Sequence, residues 1–93
     1  MAESIMQSKK ECLICGSNNV EQHHVLFGNP KRKMADEDGL WVWLCPDHHR
    51  GTYGVHGKYG HDLDTALKIT AQEIYERTHS RDEWMARYRR NYL

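Results

Sequence analysis

Apolar residues are distributed along this chain in short, differently spaced groups, and the spacing predicts a small set of elements. Met1 to Lys10 is polar and aperiodic, and reads as a fraying end. Val20 to Phe27 alternates loosely and carries β-branched and aromatic residues, which predicts a strand; Gly28-Asn29-Pro30 breaks it. Lys31 to Gly39 is dense in charge without apolar periodicity and reads as a loop, and Leu40-Trp41-Val42-Trp43-Leu44 is the most apolar run, a second strand. A connection of this kind is too weak for a helical crossover, so the strands are expected to be antiparallel. Trp41 and Trp43 then share one face, expected to lie under the helices.

The second half changes period. Cys45-Pro46-Asp47-His48-His49 has the chemistry of a helix start, with proline at the first helical position and an acid in the first turn. Gly51, Gly54, Gly57 and Gly60 end that helix quickly. Asp62 to Thr78 is amphipathic, with Leu63, Leu67, Thr70/Ala71, Ile74 and Thr78 on one stripe. Ser80-Arg81-Asp82-Glu83 is a capping box opening a last helix that carries Trp84, Tyr88 and Tyr92 at i, i+4 and i+8. The reading is an α+β domain: residues 1–10 a flexible end, 11–61 the strands and short helix, 62–93 a helical pair packed on them.

Length sharpens this picture. At 93 residues the chain holds one domain, and domains of this size bury only about 60–65% of their unfolded surface, so a metal or disulfide staple is often needed. Three cysteines cannot all pair internally. No stretch approaches the roughly 20 apolar residues of a membrane span, and the N-terminus lacks the basic-then-apolar order of a signal peptide, so a cytoplasmic location and no membrane partner are expected.

Cys12 and Cys15 sit on a tight turn with Gly16, and Cys45 and His48 repeat the two-residue gap after 29 intervening residues. Cys-x2-Cys followed by Cys-x2-His is a ligand set of tetrahedral zinc type, saturated and therefore structural. His49 competes with His48 for the fourth place, and the competing chemistry for Cys12 and Cys15 is a redox pair. Seven histidines, all between positions 23 and 79, exceed what one zinc consumes. Neighbours on a helix lie about 100° apart, so if His48 closes the zinc, His49 faces elsewhere and is expected to turn toward the strand with His23 and His24. His56 reaches the same point only if the Gly51-Thr52-Tyr53-Gly54 turn folds back. Imidazoles from separate elements with open positions suit a second divalent cation such as Mg2+, Mn2+, Ni2+ or Zn2+.

A Cys-x2-Cys before the first strand, His23-His24 on it and Cys45-x2-His48-His49 opening the helix resemble the HNH endonucleases, the ββα-metal or His-Me finger group. More narrowly, the chain is similar to small zinc-knuckle HNH-like proteins of bacteriophages, over residues 12 to 56. The resemblance implies a ββα-metal finger with a structural zinc knuckle and two C-terminal helices. It implies a metal-dependent endonuclease acting on DNA, with His23 a metal ligand, His24 the general base and His49 a further ligand. The pattern departs twice: Tyr53 holds the slot of the usual last histidine, leaving His56 as the nearest candidate, and Asp36-Glu37-Asp38-Gly39 stands where the family's central Asn lies.

Net charge is zero, so nucleic-acid contact falls to local patches. Lys31, Arg32, Lys33 and Arg50 are the candidates near the site; Arg77, Arg81, Arg87, Arg89 and Arg90 cluster toward the end. The rival reading is a zinc-stabilised protein on the same scaffold that binds DNA or a host protein without cutting, and a Tyr88/Tyr92 face offers a homodimer contact.

Overall fold

Glu21–His24 (β1) and Trp41–Leu44 (β2) pair antiparallel, with Glu21 opposite Leu44 and His24 opposite Trp41, in the computed structural model, which describes residues 2–93. The elements that follow or intervene are α1 (Lys31–Asp38), α2 (Pro46–Arg50), α3 (His61–Tyr75) and α4 (Arg81–Tyr88). Among the described residues this is a small α+β fold with one two-stranded sheet and four helices.

The charged loop expected over Lys31 to Gly39 is instead α1. Lys, Arg, Met, Ala and Glu all favour helix, and the segment buries only Ala35, so it has no apolar stripe to betray it. Gly39 stops it in a left-handed conformation, its N–H donating to the Ala35 carbonyl; a side chain there would also meet the backbone of Glu3. The acidic end of α1 is not a solvated face. Asp38 Oδ2 accepts from Tyr88 Oη at 2.6 Å and from Arg87 Nε at 2.7 Å, while Glu37 Oε1 accepts from Arg87 at 3.1 Å. These bonds tie α1 to α4.

The N-terminal segment expected to fray is hydrogen-bonded along β2. Ser4 Oγ donates to the Trp41 carbonyl at 2.5 Å, the Trp41 indole donates to Ala2 O, Trp43 N donates to Gln7 Oε1, and Ile5 N donates to Gly39 O. Trp41 and Trp43 therefore face this segment, edge to face at 5.3 Å, and not the helices as expected from their spacing.

The stripe of α3 is rotated from the expected one. Leu67, Ala71, Gln72 and Tyr75 are buried, while Thr70 is exposed and the helix ends before Thr78. Gln72 is fully buried and holds the C-terminal tail, donating to Glu76 and Asn91 and accepting from Tyr92 N. The capping box of α4 forms with both of its bonds, Glu83 N to Ser80 Oγ at 3.1 Å and Ser80 N to Glu83 Oε1 at 3.0 Å. Tyr88, read from sequence as part of an exposed face open to a dimer, is fully buried against Trp84 and Tyr75.

Burial pushes the Tyr88 phenol above its ordinary range, and the Asp38 carboxylate that accepts its proton adds to this. The folded state thus holds that proton more tightly than the unfolded chain does, so its contribution is complete below about pH 10 and declines as pH rises above it. Tyr88→Phe is expected to lower stability at pH 7 by about 1.5–3 kcal/mol, the range for a hydrogen bond to a charged group. Urea unfolding at pH 7 and again above pH 10 checks it: the gap between wild type and variant narrows at the higher pH, and a constant gap would refute the assignment.

Candidate metal centres

The knuckle is built by backbone bonds. Cys12 N donates to Ser17 O, Gly16 N donates to Cys12 O with Gly16 at φ 77°, and Leu13 N donates to Trp43 O, anchoring the turn to β2. Cys45 caps α2, where Pro46 needs no N–H partner and His49 N donates to Cys45 O. The result places Cys12, Cys15, Cys45 and His48 together, with all four ligand atoms within 4.8 Å of one another. Cys15 Sγ to Cys45 Sγ is 3.7 Å, Cys12 Sγ to His48 Nδ1 3.6 Å, and Cys45 Sγ to His48 Nδ1 3.2 Å. Tetrahedral zinc with bonds of about 2.3 Å to sulfur wants sulfurs about 3.8 Å apart, so this cluster could hold a zinc ion. Burial raises the Cys12 thiol, but backbone N–H groups of Cys45, Cys15 and Ile14 outweigh it and bring the group down to about 6, toward the thiolate that binds metal. His48, not His49, faces the thiols.

His49 turns instead to a second cluster. Its ring lies 5.2 Å from that of His23 and 5.0 Å from that of His56, and the His23 and His56 rings are 5.1 Å apart. One nitrogen of each lies within 4.8 Å of the others. The fold-back that sequence required for His56 is present: Val55 N donates to His48 O and His56 N to His49 O, at 2.9 and 3.0 Å. Glycine makes the return possible, since a Cβ at Gly57 would collide with the Gly51 carbonyl and one at Gly54 with that of Asp47.

The chemistry of this cluster fits a cation. Burial, then the neighbouring imidazoles, pulls His23 down to about 3, and burial also lowers His56, so both rings are neutral at pH 7, the ligand form. His23 Nε2 is buried with no hydrogen-bond partner. His49 Nδ1 is 2.8 Å from Glu21 Oε1, an arrangement that leaves Nε2 for a metal. Arg50, through three bonds, and then His49 hold the Glu21 carboxyl at about 2. Arg50, expected as a phosphate contact, is thus committed to Glu21. Glu21 was missed from sequence; its two-residue offset from His23, which puts both on one face of β1, is the signal that points to it.

His24 leaves the opposite face of the strand. Its Nε2 lies 3.0 Å from Asp36 Oδ1, in a pocket that Asn29, Arg32 and Lys33 also line. A helical α1 is what brings Arg32, Lys33 and Asp36 to one side, and the carboxylate of Asp36 occupies the neighbourhood where an Asn was wanting. Lys31 is not part of this pocket lining. Of the C-terminal arginines, Arg81 and Arg87 are engaged by Glu76 and by Glu37 with Asp38.

No known protein-family model matches the chain, and neither does any curated protein or solved structure. Among the described residues no helix is long and apolar enough to cross a membrane.

Proposed function

We propose that the protein is an HNH-like, metal-dependent endonuclease that hydrolyses DNA phosphodiester bonds on a ββα-metal finger stabilised by a structural zinc. The observation that carries this reading is the convergence of His23, His49 and His56, imidazoles from three separate segments, around a buried nitrogen with no partner. A divalent cation held by these three rings would supply positive charge to the leaving oxygen of a phosphodiester. Glu21 orients His49 for that task.

On the other face, a His24 tautomer with Nε2–H donating to Asp36 leaves the lone pair on Nδ1, the form that accepts a proton from an attacking water. Asp36 thereby does the orienting that the missing Asn does in the family. Arg32 and Lys33, opening into the same pocket, attract the DNA backbone across the end of β1. The phosphodiester is read as spanning the strand end, between the imidazole triad and this basic pocket.

The test is incubation of the zinc-loaded protein with supercoiled, linear and branched DNA plus magnesium, manganese or nickel. Wild type is expected to nick at least one substrate, His24→Ala to cut at least about 100-fold more slowly, the lower range for loss of a general base, and His56→Ala to be slowed as well, through loss of a metal ligand. A folded, zinc-loaded wild type that binds DNA or a host protein but cuts nothing, or variants as fast as wild type, would give the non-catalytic reading the field.

A further inference from the structure

Phe27 sits at the centre of an arrangement that the imidazole triad does not exhaust. Its ring is 5.1 Å from that of His56 and 6.1 Å from that of His23, and the Lys68 ammonium lies 4.4 Å from its centroid. One aromatic ring is therefore packed on by a lysine of α3 and by two of the candidate ligands. Lys68 is no surface cation: its side chain is 18% exposed. It donates to Asp64 Oδ2 at 2.8 Å, one turn earlier on the helix. An ammonium has three donors, and among the described residues Asp64 is the hydrogen-bond partner found for it. Asp64 Oδ1 is buried without a partner.

We propose that Lys68 is the phosphate-binding cation of this site, its ammonium donating to a non-bridging oxygen of a phosphodiester whose other side meets the His23–His49–His56 cluster. The inference rests on the proposed nuclease reading and extends it to a helix outside the ββα core. A phosphodiester attacked by water gains negative charge, and a fixed cation in a partly desolvated site stabilises that charge without reorganising. Asp64 sets the direction of the ammonium and leaves two donors for the substrate. A merely structural i,i+4 pair would have no reason to bind phosphate.

The experiment loads the zinc-bound protein with cobalt at the second site, follows its visible spectrum, and titrates inorganic phosphate and, in parallel, a thymidine dinucleotide as a diester. Cobalt binds such sites more weakly than zinc and so spares the structural centre. Lys68→Met keeps the aliphatic stem on Phe27, and Asp64→Asn/Lys68→Met removes the carboxylate that the first variant would strand. Both are expected to bind cobalt at least as tightly as wild type but each phosphate probe at least about tenfold more weakly, with Lys68→Arg retaining most of the affinity. Unchanged affinity for either probe in the variants overturns the proposal, as does weakening for inorganic phosphate alone, which would separate the lysine from a nucleic-acid backbone. A wild type that takes up no cobalt defeats the metal-site reading itself; one that takes up cobalt while ignoring Lys68 defeats this inference only.

Discussion

Stripping zinc from the protein is expected to unfold it, and Cys45→Ser or His48→Ala to do the same. The four ligands come from two segments that share little else: a turn at Cys12 to Cys15 held by three backbone bonds, and the first turn of α2, a helix of five residues that buries none of its own side chains. Structural zinc contributes about 10–16 kcal/mol in zinc-finger peptides, against a total stability of about 5–15 kcal/mol for a typical domain. Without the ion, three thiols and an imidazole are left crowded against one another with nothing to compensate. Metal analysis should give one zinc per chain in wild type and in His49→Ala, and circular dichroism should show loss of structure in the Cys45 and His48 variants and on chelation. Zinc retained by His48→Ala but lost from His49→Ala would reverse the assignment.

How much of this was legible before the structure depends on what each residue answers to. The Cys12–Cys15–Cys45–His48 cluster was readable because coordination chemistry constrains both residue type and spacing, and the capping box of α4 because its bonds are local. Helical phase says only that His48 and His49 cannot both face the thiols; that His48 does so is seen in its Nδ1 lying against Cys12 and Cys45. His56 was readable only as a condition, since a fold-back across Gly51 and Gly54 has no apolar periodicity and is revealed only when Gly54 and Gly57 are seen pressed against backbone carbonyls. α1 was not readable: its helix is fixed at a distance, by Asp38 reaching Tyr88 and Arg87 fifty and forty-nine residues away. The same long range hid the N-terminal segment, whose polar residues looked free yet cap the exposed backbone and indole of β2. Asp36 and Lys68 share that lesson. Asp36 reads as a loop charge and Lys68 as a helical one until tertiary structure sets them beside a histidine and the ring that histidines pack on.

Trp84→Ala is expected to be the most damaging core substitution and to separate the two halves of the site. Trp84 is fully buried, its ring 4.4 Å from that of Tyr88 at a 40° tilt and 5.4 Å from that of Tyr75 of α3, with its indole donating to Arg90 O at 2.8 Å. Truncating a buried Trp costs about 3–5 kcal/mol. In a domain of this size each kcal/mol moves the midpoint by about 4–8 °C, so the melting temperature should fall by at least about 12 °C. The loss is not shared evenly. α4 is tied to α1 through Asp38 and Glu37 and to the end of α3 through Tyr75 and Glu76, so its loosening releases α3, and α3 holds Lys68 on the Phe27 ring beside the triad. The Cys12–Cys15–Cys45–His48 cluster lies on the knuckle and α2, and among the described residues the bonds found for these run to β1, β2 and the turn after α2. At a temperature where the variant remains folded, it should therefore keep one zinc per chain while its cobalt-loaded form binds inorganic phosphate more weakly. Thermal denaturation with metal analysis and the phosphate titration decide it: a variant that melts within a few degrees of wild type would mean that the C-terminal pair is an appendage, and that the position of Lys68 owes nothing to its packing.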